Sequence, residues 1–350
     1  MIIKENARAK KLLSDTYNYI FNKLNGNFIR WGKTLKDDPP YSPYGPEILD
    51  IEVSTKCAGP GGKPCSFCYK SNGPSGKNMS IATFKKILDK MPRSLTQCAF
   101  GADAQCTSNP DIWKMMDYCR NHKTNPIVPN ITVADISPKT ADKLAKVCGA
   151  VAVSRYTDKD LCYNSVRLLL DRGLKQTNIH IMVSEETLSM VKETLEDYKK
   201  DPRLSGLNAI VLLSLKKKGR GTKYTPLSQD KFTELVNYAL SNDIPIGFDS
   251  CSCGKFFNAV KGKPGEKVYR ILAEPCEGFG IFSSYISVDG KFYPCSFCEQ
   301  AHDDFKEGID VLKVDSFLDD VWNNTITDKW RNIMLARRKE ENYECPIYKV

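Results

Sequence analysis

Between Ile48 and Val53 the chain alternates, with Leu49, Ile51 and Val53 on one face and Asp50 and Glu52 on the other. A period of two is that of a strand buried on one side. From there strand-like and helix-like segments take turns. The pattern predicts helices over 80–91, 111–121, 137–148, 163–173, 187–200 and 228–241, and strands over 95–100, 129–134, 150–154, 178–184 and 209–215. Ser137-Pro138 marks one helix start, because Pro costs nothing where the first N–H has no intrahelical partner. Six strands alternating with helices predict parallel βα units, two short of a closed eight-stranded barrel. No sequence repeat accompanies the rhythm, which argues against a solenoid.

The flanks differ. Leu12, Leu13, Tyr17, Ile20, Phe21 and Leu24 recur at helical spacing and stop at Gly26, predicting an amphipathic N-terminal helix. A Pro-rich stretch over 38–46 follows it. After Ile244 cysteines crowd, Val288-Asp-Gly-Lys-Phe292 predicts a hairpin with an Asp-Gly turn, and a final helix is expected over 318–339. The expected organisation is an N-terminal helix and linker (1–46), an α/β partial barrel (47–245) and a smaller cysteine-rich domain (246–350).

Composition adds to this. A chain of 350 residues, 41% of them hydrophobic, buries the core of one large domain and a smaller one. Its 14 cysteines fall well below the density of a disulfide scaffold. Met1-Ile-Ile-Lys-Glu is no signal peptide, and the longest apolar run, 207–215, is too short to span a bilayer. A cytoplasmic protein without a membrane partner is expected, its cysteines serving as ligands or buried thiols. The net charge of +9 comes from lysines scattered among 42 acidic residues. Its densest run, Lys216-Lys-Lys-Gly-Arg220, is expected to be a solvated loop and not a nucleic-acid footprint.

The pentapeptide Pro-Cys-Ser-Phe-Cys occurs twice, at 64–68 and 294–298, with Cys57 upstream of the first copy and Cys276 upstream of the second. Cysteines three positions apart on a tight loop aim two thiolates at one point, as a metal or an iron–sulfur cluster requires. Two metal centres are therefore expected. His122, His180 and His302 are too few and scattered for a histidine site, and no P-loop or dinucleotide fingerprint is present. Cys119, Cys148 and Cys162 lie on or beside helices and are expected to be buried hydrophobes. Cysteine spacing alone leaves zinc open at both centres, with Cys98 or Cys106 completing the first.

Cys57, Cys65 and Cys68, just past the first strand and with Phe67 before the third, resemble the hallmark of the radical S-adenosylmethionine (SAM) superfamily. That hallmark reads C-x3-C-x2-C; this chain has C-x7-C-x2-C, the extra residues mostly Gly and Pro. Gly101-Ala102-Asp103 resembles the family's SAM-binding Gly-Gly-Glu turn, and Asn109-Pro-Asp111 its His-Pro-Asp. Ser154 matches a position that often contacts SAM, and Lys218-Gly-Arg-Gly221 is similar to the loop after strand six. The resemblance implies a partial (β/α)6 barrel with a [4Fe–4S] cluster on Cys57, Cys65 and Cys68, and SAM contacts from Phe67, Gly101, Ala102, Asp103 and Ser154. One electron from that cluster would cleave SAM to a 5′-deoxyadenosyl radical, which abstracts a substrate hydrogen.

Cys276, Gly290 and Cys295, then Trp322, Trp330 and Cys345, resemble a SPASM or twitch domain. The resemblance implies one auxiliary [4Fe–4S] cluster on Cys276, Cys295 and Cys345, with Cys298, or its rivals Cys251 and Cys253, as fourth ligand. It further implies a peptide or protein substrate that is crosslinked, oxidised or epimerised, and a reductant such as flavodoxin or ferredoxin. The alternatives are a small-molecule radical dehydrogenase or cofactor-building enzyme and, from another class, a non-catalytic zinc- or cluster-containing RNA-binding protein.

Overall fold

The computed structural model describes residues 1–349. A continuous sheet of ten strands forms its centre. Strands β5 (Ile48–Glu52), β6 (Gln97–Gly101), β7 (Val128–Val133), β8 (Ala150–Ser154), β9 (Thr177–Val183), β10 (Ala209–Ser214) and β11 (Ile246–Phe248) run parallel in chain order. Between them lie α1 (Ile81–Lys90), α2 (Ile112–Arg120), α3 (Pro138–Val147), α4 (Lys159–Asp171), α5 (Leu188–Lys200) and α6 (Gln229–Ser241). Side-chain caps at Ser80, Ser137 and Ser228 set three of the starts by accepting from amides three residues on. The alternation therefore holds, with β11 as a seventh parallel strand.

Leu49, Ile51, Cys98, Phe100, Ile131, Val133, Val151, Val153, Ile179, Ile181, Ile210 and Leu212 form one buried face beneath the helices. Each full aliphatic side chain there contributes about 1.5–3 kcal/mol. Asp50, Glu52, Asn130, Ser154 and His180 occupy the alternate positions, on the inner face of the curved sheet.

The cysteine-rich segment joins this sheet. β12 (Ser283–Ile286) pairs in parallel with β5, Tyr285 lying beside Asp50. It turns back through β13 (Lys291–Tyr293) to β14 (Ile309–Asp310), so the hairpin at the Asp-Gly turn is present. α7 (Cys253–Val260) and α8 (Glu266–Leu272) precede it. The final helix is split into a wide π-type turn at Leu318–Trp322 and α9 (Thr325–Lys339), which Asn324 caps.

The N-terminal helix is absent. Residues 1–31 form an antiparallel sheet of β1 (Ile2–Glu5), β2 (Ala9–Leu13), β3 (Asn18–Asn22) and β4 (Phe28–Trp31). The strands bury alternate positions, Leu12 with the lysine stem at Lys10, then Tyr19 and Phe21, a period that the helical spacing of the apolar residues masks. Turn chemistry decides the outcome: Asn6 accepts from the amides of Arg8 and Ala9, Ser14 pairs with Tyr17, and Gly26 takes a φ of 75°. Turns this closely spaced leave no room for a helix.

This small sheet shares a core with the C-terminal segment, Tyr17, Tyr19 and Phe21 meeting Phe279, Phe282 and Trp330. The turn between β3 and β4 closes a cavity of about 320 Å³ at the amino ends of the barrel strands, lined by Asn25, Gln97, Asn130, Gln176 and Asn208. Among the described residues no helix is long and apolar enough to cross a membrane.

Candidate active site

All candidate residues of the first centre lie at the carboxyl ends of the parallel strands. After β5 a loop departs, and the Cys57 amide closes its neck by donating to the Gly73 carbonyl at 2.8 Å. The extra residues are absorbed as a bulge: Gly59, Gly61 and Gly62 all have positive φ, where other residues are strained. That bulge rests on the rim, the Gln105 side-chain amide donating to the Gly59 carbonyl at 2.9 Å.

Cys65 and Cys68 sit on one tight turn, the Cys68 amide donating to the Cys65 carbonyl at 3.4 Å. The adjacent Cys65 thiol lowers Cys68 to about 6 against the cost of burial, helped by the amides of Asn72 and Lys70 and the Arg220 charge. The same proximity, then burial, pushes Cys65 up. Phe67 stacks on Tyr156 with centroids 5.5 Å apart, and Tyr156 stands two residues beyond Ser154 in the chain. Phe67 and Ser154 are thus brought to one side of the rim.

Gly101 ends β6, its carbonyl accepting from the Val53 amide at 2.8 Å, and Ala102 packs on the core. The buried Asp103 carboxylate is committed to its own loop, accepting from the amides of Thr107 and Ser108 at 2.8 Å and Gln105 at 3.1 Å. It shapes the turn. Asn109 locks that turn to the strand by donating to the carbonyls of Val53 and Met79.

The basic run after β10 is not the solvated loop its charge predicted. Lys217 points to solvent, but Lys216 is buried and ion-paired with Asp249. Burial alone would lower Lys216; Asp249, with the Cys251 thiol adding, holds it at about 12. Arg220 donates from Nη2 to the Asn72 carbonyl at 3.0 Å, and its amide to the Cys68 carbonyl at 3.0 Å. Gly219, at φ 55°, lies so close that a Cβ would stand 2.4 Å from the Tyr69 carbonyl oxygen. The run is a clasp on the first cysteine loop. Its Gly-Arg-Gly core was the sequence signal for this role, and net charge concealed it.

The second centre repeats the turn, with the Cys298 amide donating to the Cys295 carbonyl at 3.0 Å and the two sulfurs 3.4 Å apart. The bond from Cys298 lowers Cys295 and raises its donor. Burial pushes Cys276 up to about 12, with Cys295 and Cys345 adding through their charge. Arg338 holds the Cys276 carbonyl at 2.6 Å, and the Tyr348 amide donates to the Cys345 sulfur at 3.4 Å. Cys251 also lies within the influence of Cys276 and Cys295. Cys253 does not: it is buried on α7 in the larger core, its surroundings Arg338, Glu274 and Arg270.

Among the described residues no three of these thiols, histidines or carboxylates converge as ligands of a single ion. Cys98 and Cys106 are also misplaced to complete a zinc site. Cys98 is buried beside Cys119 inside the barrel wall, and Cys106 is buried near Cys148. A set of thiols without carboxylates, held half-buried on a clasped loop, fits an iron–sulfur cluster.

Residues that the sequence did not single out join the centres. Lys70 lies 3.3 Å from Glu52, ion-pairs with Glu299 and donates to the Tyr285 hydroxyl at 2.8 Å. Asp50, on the inner face, is raised to about 6 by burial, and His180 is lowered to about 4 by burial.

No family model matches the sequence, and no curated protein matches it. Solved structures do. Streptococcus suis SuiB bound to precursor peptide SuiA superposes with a TM-score of 0.67 at 13% identity, covering 94% of this chain and 90% of that one. HydG, a maturase of the [FeFe]-hydrogenase, is a looser match, with a TM-score of 0.42 at 14% identity over 88% of this chain and 80% of that one. At such identities the likeness is one of fold, and only the first match is close enough to carry weight.

Proposed function

From the radical SAM superfamily fold that this chain has, we propose that it cleaves SAM reductively and uses the radical to take a hydrogen from its substrate. The observation that carries this reading is the Cys65–Cys68 turn at the barrel rim, bound by the Gly219–Gly221 clasp. Cys57, Cys65 and Cys68 would hold a [4Fe–4S] cluster, and Cys276, Cys295, Cys345 and Cys298 or Cys251 a second. When bound, the first group supplies one electron to the sulfonium of SAM and so yields a 5′-deoxyadenosyl radical.

The chain's own residues position and shield. Phe67 and Tyr156 wall one side of the rim, and Ser154 offers a hydroxyl there. Gly101 and Ala102 present backbone on a turn that Asp103 keeps in shape. Arg220 fixes the carbonyls behind the thiols, leaving the sulfurs free to ligate. The inner face of the sheet, with Asp50, Glu52 and His180, is where substrate would lie.

The substrate we propose is a peptide or protein. SuiB, which shares the fold over nearly its whole length, is bound to a precursor peptide. A flavodoxin or ferredoxin is the proposed reductant, and the cytoplasm, where free thiols persist, the proposed location.

Anaerobic reconstitution tests the reading. Protein loaded with iron and sulfide, given dithionite and SAM, is expected to form 5′-deoxyadenosine. Stoichiometric zinc without iron would overturn it. A short peptide encoded beside the gene is the substrate probe, and a SAM-dependent mass change in it is the expected result.

A further inference from the structure

The two cysteine loops touch. The Tyr69 and Phe297 rings lie 4.3 Å apart between centroids, tilted by 36°. Tyr69 follows Cys68 in the chain and Phe297 precedes Cys298, so each ring is one peptide unit from a thiol of its own centre. Two further contacts fix this meeting. Lys70 and Glu299, the next residues outward, form an ion pair. Lys218, in the clasp that holds the first loop, donates to the carbonyls of Phe297 at 3.0 Å and Glu299 at 2.6 Å.

Packing alone does not require this arrangement. The rest of the second pentapeptide is served by its own domain, and the Cys276 and Cys345 segments are tied to it by Arg338 and Arg337. The Lys216 ammonium, paired with Asp249, lies 4.8 Å from the Phe297 ring, so a cation faces one ring of the junction.

We propose that the Tyr69–Phe297 ring pair is the electronic junction between the two centres, through which single electrons pass from one to the other. The proposal rests on the two-cluster reading above. With both clusters bound, the step would be a simple exchange: a low-potential one-electron donor would reduce one centre, and that electron would pass to the other. No bond is made or broken and no proton moves. Tyr69 and Phe297 act as positioning residues, neither touching SAM nor substrate in this scheme.

The test is freeze-quench electron paramagnetic resonance after flash photoreduction of the reconstituted protein with a substoichiometric electron dose. Transfer between the centres is expected to slow by about tenfold, ~1.4 kcal/mol in the barrier, in Tyr69→Leu and in Phe297→Leu. Iron content and both midpoint potentials should stay at wild-type values, which a merely structural loss would change. Tyr69→Phe and Phe297→Tyr keep a ring, fold with the least disturbance and should retain the wild-type rate. An unchanged rate in both leucine variants overturns the junction and leaves the two-cluster reading standing. Wild-type protein that takes up only one cluster overturns both, and its iron content shows this before any variant is made.

Discussion

Arg220 Nε donates to the carbonyl of Cys65 at 2.9 Å, across 155 residues of sequence. The loop after the last long barrel strand thus fixes the loop after the first. Outer groups that orient ligands are worth about 10–100-fold in metal affinity or activity. Arg220→Ala should therefore reduce cluster retention and SAM cleavage by about that factor, measured as iron kept after exposure to a chelator. Arg220→Lys should recover little, because a single ammonium cannot span the Cys65 and Asn72 carbonyls as a planar guanidinium does. Unchanged iron in Arg220→Ala would show that the clasp does not support the centre.

Two glycines separate steric need from conformational need. Gly219 and Gly62 both have positive φ, but only Gly219 has backbone where a Cβ would go. Gly62→Ala should cost about 1–2 kcal/mol in urea unfolding and leave the iron intact. Gly219→Ala adds a clash with the Tyr69 carbonyl, so it should cost more and should also lose iron from the first centre.

Ligand identity can be read from iron counts. Two cubanes hold about eight irons, and the combined change of Cys57, Cys65 and Cys68 to Ala should leave about half. Cys345→Ala should alter the spectrum of the second centre while SAM cleavage persists. Cys253→Ala should leave that spectrum unchanged, because its thiol lies in a different core. Comparing Cys298→Ala with Cys251→Ala then shows which thiol is the fourth ligand.

Lys10 makes stability depend on pH. Burial lowers it from 10.5 to about 7, outweighing the opposing pull of Glu5 across the strand pair, and it donates to the Leu95 carbonyl and to Asn125. The unfolded chain therefore holds a proton that the folded chain gives up. Folding is penalised below pH 7, and stability rises between about pH 7 and 10.5, where the contribution is complete. The slope approaches about 1.4 kcal/mol per pH unit. Lys10→Met should remove this rise in denaturant titrations across that range; an equal slope in the variant would contradict the assignment.

The barrel was legible because each strand buries one face and four of the six helices carry a side-chain cap, at Ser80, Ser137, Asp158 and Ser228, so local pattern and fold agree from Ile48 to Ser241. The N-terminal sheet was not, because Leu13, Tyr17, Ile20, Phe21 and Leu24 fall at helical spacing, whereas the strands bury Leu12, Tyr19 and Phe21. Only the turns at Asn6, Ser14 and Gly26 separate the two. At the site the cysteines announced themselves by spacing, but their supports did not. Lys216, Lys218 and Arg220 read as surface charge, yet Lys218 lies on the carbonyls of Phe297 and Glu299, Arg220 on that of Cys65, and Lys216 against Asp249. Glu52, Lys70 and Tyr285 come from three distant stretches, and nothing short-range links them.

The pairing of β12 with β5 has a consequence for biogenesis. β5 is the first barrel strand to leave the ribosome, but its outer neighbour is made only after all the other parallel strands. Until then that edge carries unpaired amides and carbonyls, a template for pairing with another nascent chain. Contacts of such long sequence separation form slowly, and incompletely paired sheets aggregate. The chain should therefore depend on slow translation or on chaperones during synthesis, and a stop before Ser283 should give insoluble protein although every helix of the barrel is already present.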